Sequence, residues 1–156
     1  MQVVVQPAPE TNRHESSRSR RRRDDVWIAT TGLIAAFLAL PFAQSSWHGA
    51  EAAAVLAVSA TAMFAGQRWA IALVVLAELF LLPTILPRAF VPPADLHAHL
   101  AALFTLAAIV PGVLAMRRAA AALVIVTGRP RTQRTCRRFH LALVVTAVVA
   151  TVLPIL

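Results

Sequence analysis

The chain contains no lysine, so all 15 of its basic residues are arginine. It has a single cysteine, Cys136, which excludes an internal disulfide and a CxxC pair for metal binding. Only 14% of its residues are charged, against about a quarter in a typical soluble domain. The sequence also lacks the GxSxG, HExxH, GxGxxG and Walker motifs. These absences argue against a soluble enzyme, and we expect no catalytic residue.

Long apolar runs dominate what remains, since 58% of the 156 residues are hydrophobic. Five runs come near the ~20 residues that a helix needs to cross a bilayer. They cover residues 26–43, 50–66, 69–87, 96–116 and 139–156. The sequence therefore predicts an all-α, polytopic bundle of five transmembrane helices within a membrane domain of residues 26–156. The polar, arginine-rich residues 1–25 cannot bury enough apolar surface to fold and are expected to form a disordered cytoplasmic tail.

The positions of the arginines predict the orientation, because cytoplasmic loops carry an excess of positive charge. With the N-terminus inside, residues 1–25, 67–68 and 117–138 face the cytoplasm, and they hold every arginine except Arg88. This topology places the C-terminus outside. Arginine in place of lysine, with a high alanine content, is typical of a GC-rich bacterial genome, so we expect a multi-pass protein of a bacterial inner membrane.

The inner segments are expected to contact anionic lipid headgroups or other membrane-protein subunits. The arginines nearest the spans are the candidates: Arg20, Arg21, Arg22, Arg23, Arg117, Arg118, Arg137 and Arg138. Nucleic acid is not an expected partner, because no basic domain stands apart from the membrane segments. Residues 119–127 are apolar but too short to span. They either lie on the cytoplasmic face within the loop 117–138 or extend the fourth span.

Glu78 is the principal candidate for a functional residue, because it lies at the middle of the third run. An ionisable group at that depth faces a bundle interior or a water path, and desolvation favours its neutral form. Three hydroxyls at matching depth are candidate partners: Ser59, Thr105 and Thr146. A neutral acid bonded to hydroxyls could hold helices together, or Glu78 could carry a proton or a cation.

The predicted outer face collects side chains of the kinds that bind zinc or copper. They are His48, Glu51, Asp95, His97 and His99. The spacing is unfavourable for a metal site, because His97 and His99 are two positions apart, and such side chains on a helix point in nearly opposite directions. A b-type haem is disfavoured as well, since His99 and His140 lie almost a bilayer apart. We therefore expect no cofactor, with these five residues as weak metal candidates.

Small residues recur three or four apart, as at Gly32 and Ala36 and at Ala53 and Ala57, and allow helices to pack closely in lipid. The alanine-rich second span is therefore expected at the centre of the bundle. By elimination we expect a small non-catalytic accessory or structural subunit of a larger membrane complex. The alternatives are a proton- or cation-coupled channel or transporter that uses Glu78, and a membrane protein that handles metal through its outer histidines. No particular small-molecule substrate is predicted.

Overall fold

A computed structural model describes residues 11–43, 49–90 and 96–152. The described chain is helical throughout apart from short turns, and it contains no strand. Its six helices are α1 Thr11–Ala43, α2 Gly49–Phe64, α3 Ala70–Phe90, α4 Leu96–Leu114, α5 Met116–Val126 and α6 Gln133–Val152. The predicted all-α class is confirmed.

Four of these helices are long and apolar enough to cross a membrane. They are Arg18–Phe42 within α1, and the whole of α3, α4 and α6. Helix α2 is apolar but has 16 residues, which gives it a length of about 24 Å. It is therefore shorter than the roughly 30 Å thickness of a bilayer's hydrocarbon core.

The first four helices form a ring in which each one packs against the next and α1 closes against α4. Small residues are buried on both α1 and α2, among them Ala36 and Ala53. A Cβ atom at Gly32 would lie 3.6 Å from the Cβ of Ala60 on α2, so the two backbones run close together.

Helix α3, rather than α2, occupies the centre of the molecule. It touches every other described helix, whereas α2 contacts only α1 and α3. Of its most apolar 18 residues, 61% are buried. Alanine content therefore does not identify the central helix. The central helix α3 instead buries large side chains such as Leu81 and Ile85.

Helix α1 begins at Thr11, inside the segment 1–25 that is predicted to be a disordered tail. Side chains from Arg18 to Asp24 are exposed on this extension. An existing helix adds residues without a new nucleation step, and arginine is a good helix former. Hydrophobicity alone does not register either effect.

Two glycines with positive φ end helices and turn the chain. Gly66, at φ 81°, follows α2, and Gly128, at φ 65°, follows α5. In both turns the residue after the glycine donates its N–H to a carbonyl five residues earlier, from Gln67 to Ala62 and from Arg129 to Val124. These are Schellman motifs, which a glycine completes without steric strain.

The segment between α4 and the last span is more ordered than a loop. Helix α5 starts at Met116, directly after a break at Ala115, and buries Ala119, Ala120 and Val124. It packs against α3 and α6 and touches α4 only at the junction. Residues 119–127 therefore belong largely to a separate short helix. The last helix begins at Gln133, six residues before the predicted start at residue 139.

Candidate functional site

Glu78 lies near the middle of α3, and its side chain has no exposure to the surface. Neither carboxyl oxygen has a hydrogen-bond partner. The prediction that this residue faces the bundle interior agrees with its position. An ionisable group that is fully buried and unpartnered is uncommon in helix bundles and marks a candidate functional position.

The carboxyl group of Glu78 rests against Gly112 on α4. A Cβ atom at position 112 would overlap the carboxyl group, so only glycine leaves room for it. Side chains on a helix tilt towards its N-terminus, which carries this carboxyl group towards the end of the bundle where α3 begins and α4 ends. Arg68 precedes α3 and Arg117 follows α4 at this end, and we call it the arginine end. Gly112 is therefore a packing partner of Glu78.

The hydroxyls proposed as partners of Glu78 are arranged differently. Thr105 is buried, but it donates its hydroxyl to the carbonyl of Ala101 on its own helix, at 2.6 Å. It also lies seven residues from Gly112, or about 10 Å along α4. Glu78 and Thr105 were expected at the same depth in the membrane, but the tilt of the glutamate side chain moves its carboxyl group away from that depth.

Thr146 is exposed on α6 and donates its hydroxyl to Ala142 at 2.9 Å, so the structure does not bring it to Glu78. Ser59 is buried at 2% exposure, and its Oγ has no partner. It lies next to Ala60 on α2, close to where α1, α2 and α3 meet. Of the three hydroxyls, only Ser59 is both buried and available to form a hydrogen bond.

The predicted outer group does not form a metal centre within the described residues. His48 and Asp95 lie outside them, and Glu51 and His97 are exposed. Across residues 11–43, 49–90 and 96–152, no three His, Cys, Asp or Glu side chains come together as a metal-binding group.

His99 has a structural contact. Its Nδ1 lies 3.2 Å from the carbonyl oxygen of Arg88, in the last turn of α3. Carbonyls in the last turn of a helix have no partner within the helix, so a protonated Nδ1 would cap this end. The guanidinium of Arg88 also lies over the ring of Phe42, 5.1 Å from its centre, and this contact ties α3 to α1.

The arginines at the other end surround a cavity of about 540 Å³. Arg21 comes from α1, Arg68 from the turn before α3, Arg118 from α5 and Arg131 from the turn before α6. All three predicted inner segments, residues 1–25, 67–68 and 117–138, therefore contribute arginine to one end of the bundle. Arg21, Arg68 and Arg131 are exposed in this lining, and so are the remaining predicted contact arginines, Arg20, Arg22, Arg23, Arg117, Arg137 and Arg138.

An ion pair between Asp25 and Arg118 crosses this end and joins α1 to α5. About a third of each side chain remains exposed, at 34% and 31%. Such a pair is screened by water and contributes little stability. Both partners lie in the wall of the cavity.

Sequence reasoning missed four residues that the structure brings into these sites. Gly112 carries no polar group, although a small residue could have suggested space opposite a buried acid. Asp25, Arg68 and Arg131 carried no signal beyond their charge, because their convergence depends on how the helices pack.

A second cavity, of about 320 Å³, is an apolar cleft between α4 and α6. Leu106 and Val110 line it from α4, and Ala147 and Thr151 line it from α6. The two helices do not contact one another. Glu78 lines neither this cleft nor the cavity at the arginine end.

Comparisons with known protein families, curated proteins and solved structures find no match to this chain.

Proposed function

We propose that this protein is a small, non-catalytic accessory or structural subunit of a larger membrane complex. The observation that carries the proposal is the open apolar cleft between α4 and α6. Only 6% of the most apolar 18 residues of α6 are buried, and 22% of those of α4. Helix α6, together with the side of α4 that lines the cleft, thus presents apolar surface outwards, where a helix of another subunit can pack.

The proposed topology has five membrane crossings, with the N-terminus in the cytoplasm of a bacterial cell and the C-terminus outside the inner membrane. Its support is that arginines from all three inner segments line one cavity. The positive-inside rule assigns such an end to the cytoplasm. The short α2 would cross with local thinning of the bilayer.

The test is whether the gently extracted protein migrates with other membrane proteins and loses them when the cleft is filled. Ala147→Phe places a ring in the cleft between α4 and α6 and should release the partners. Ala107→Phe is the matched control, because Ala107 is exposed on α4 and does not line the cleft. A wild-type protein that migrates as a single chain, or partners retained by Ala147→Phe, would contradict the proposal.

A second candidate function, proton or cation movement through Glu78, is favoured by one observation. Both carboxyl oxygens of Glu78 are buried without a hydrogen-bond partner, so the carboxyl group is available to a proton or an ion. Glutamine at this position keeps the size of the side chain but cannot exchange a proton. Flux in liposomes that disappears in Glu78→Gln, with unchanged thermal stability, would establish this function in place of the accessory one.

A further inference from the structure

The cavity at the arginine end has the chemistry of an anion site. Its four arginines come from four different places in the chain, so their convergence is a property of the fold and not of one basic run. Arginine presents a planar fork of N–H donors that matches the oxygens of a phosphate group.

The charge in this cavity is not balanced by the protein. Asp25 is the one acidic residue in the lining, and it is paired with Arg118. Within the described part of the chain, Arg21, Arg68 and Arg131 show no ion pair with a carboxylate. Like charges brought together repel one another, so a bound anion would relieve this repulsion.

The other lining groups suit a ligand with a polar head and an apolar body. The indole N–H of Trp69 donates to Oε1 of Gln67 at 3.2 Å, which leaves the amide N–H groups of Gln67 available to a ligand. Met63, Ile71 and Ile125 supply an apolar wall beside them. The volume of about 540 Å³ lies within the range of ordinary small-molecule sites.

We infer that this cavity binds one phosphate-bearing anion, with the phosphate held by Arg21, Arg68 and Arg131. A phospholipid headgroup and free phosphate offer the same oxygens, but only a lipid also covers the apolar wall. This site is more specific than the general contact of surface arginines with anionic lipid, because it has a fixed place and a stoichiometry of one.

The inference does not rest on the proposed partner proteins or on the direction of insertion, because binding can be measured on the isolated chain in detergent. The experiment titrates the purified protein with phosphatidylglycerol, with phosphatidylcholine and with inorganic phosphate. Native mass spectrometry counts the molecules bound per chain. We expect one phosphatidylglycerol per chain and much weaker binding of phosphatidylcholine, whose headgroup carries no net charge.

A pair of charge-matched double variants tests the location. Arg68→Gln with Arg131→Gln removes two cavity arginines and should weaken phosphatidylglycerol binding at least about tenfold for each residue. Arg134→Gln with Arg137→Gln removes two exposed arginines that do not line the cavity, and binding should be unchanged. Asp25→Asn removes the single negative charge of the lining and should tighten binding.

The outcomes separate the sources of the phosphate. Binding of inorganic phosphate that is lost in the cavity variant would identify a soluble ligand, while phosphatidylglycerol alone would identify a lipid. Equal binding of the two lipids, equal loss in both double variants, or no binding of any probe to the folded wild type would overturn the inference.

Discussion

Helices α3 and α6 have nearly the same length but opposite environments. They contain 21 and 20 residues, and both are long and apolar enough to cross a membrane. Yet 61% of the most apolar part of α3 is buried within the chain, against 6% for α6. Apolar length thus identifies a candidate span, while its position in the bundle depends on which neighbours it meets.

The difference follows from the order of packing. Helices α1 to α4 close a ring around the large side chains of α3, whereas α6 reaches that ring only through α5 and one side of α3. A bilayer solvates an apolar side chain as well as a neighbouring helix does, so no hydrophobic force draws α6 into the ring. Close packing holds α3 in place, and most of the surface of α6 stays outside the bundle.

The largest expected effect is from a cavity in the central helix. Leu81 on α3 is 2% exposed, so Leu81→Ala should lower the free energy of unfolding by about 2–5 kcal/mol. Val148→Ala on α6, where the side chain is 54% exposed, should change it by less than about 1 kcal/mol. Thermal unfolding in detergent measures both, and similar losses would show that α6 is buried in the protein as prepared.

A smaller effect is expected where α4 meets α3. Gly112→Ala should destabilise the bundle by about 1–3 kcal/mol, because the added Cβ overlaps the carboxyl group of Glu78. The loss should shrink in a Glu78→Ala background, where the overlap is gone. A double-mutant cycle on the same unfolding measurement gives the coupling. Additive changes would show that the two residues do not touch.

The smallest effect is expected at the exposed end of α1. Asp25→Asn breaks the ion pair with Arg118, but about a third of each side chain is exposed, so the stability should fall by no more than about 1 kcal/mol. The loss should diminish as the salt concentration is raised, because salt screens the ion pair in the wild-type protein and leaves less stability for the mutation to remove. A larger loss that is independent of salt would mean that this end is buried.

The starts of three helices were predictable, because they depend on local composition. The predicted starts at residues 50, 69 and 96 fall within one residue of Gly49, Ala70 and Leu96. The burial of Glu78 was predictable for the same reason, since a carboxyl group in the middle of an apolar run has to face the protein. The start of the last helix was predicted less accurately, because Gln133 and its neighbours are polar but helical.

Other features required the fold. Thr146 has a hydroxyl that could bond to Glu78, but it lies on the exposed side of α6. Gly112 has no polar side chain, but it lies against the carboxyl group of Glu78. A hydrogen-bond partner has to match in rotation and depth on two helices at once, and a sequence fixes neither quantity between helices.

The sequence by itself determined that the chain is helical, that at least four of its helices can cross a membrane, and that one acid is enclosed among them. These properties follow from the burial preferences of single residues and short runs. The tertiary structure alone decided that α3 is central, that α6 lies outside the ring, and that Arg21, Arg68 and Arg131 surround one cavity. The physical reason is that packing between helices in lipid is set by shape and close contact, which join residues far apart in the chain.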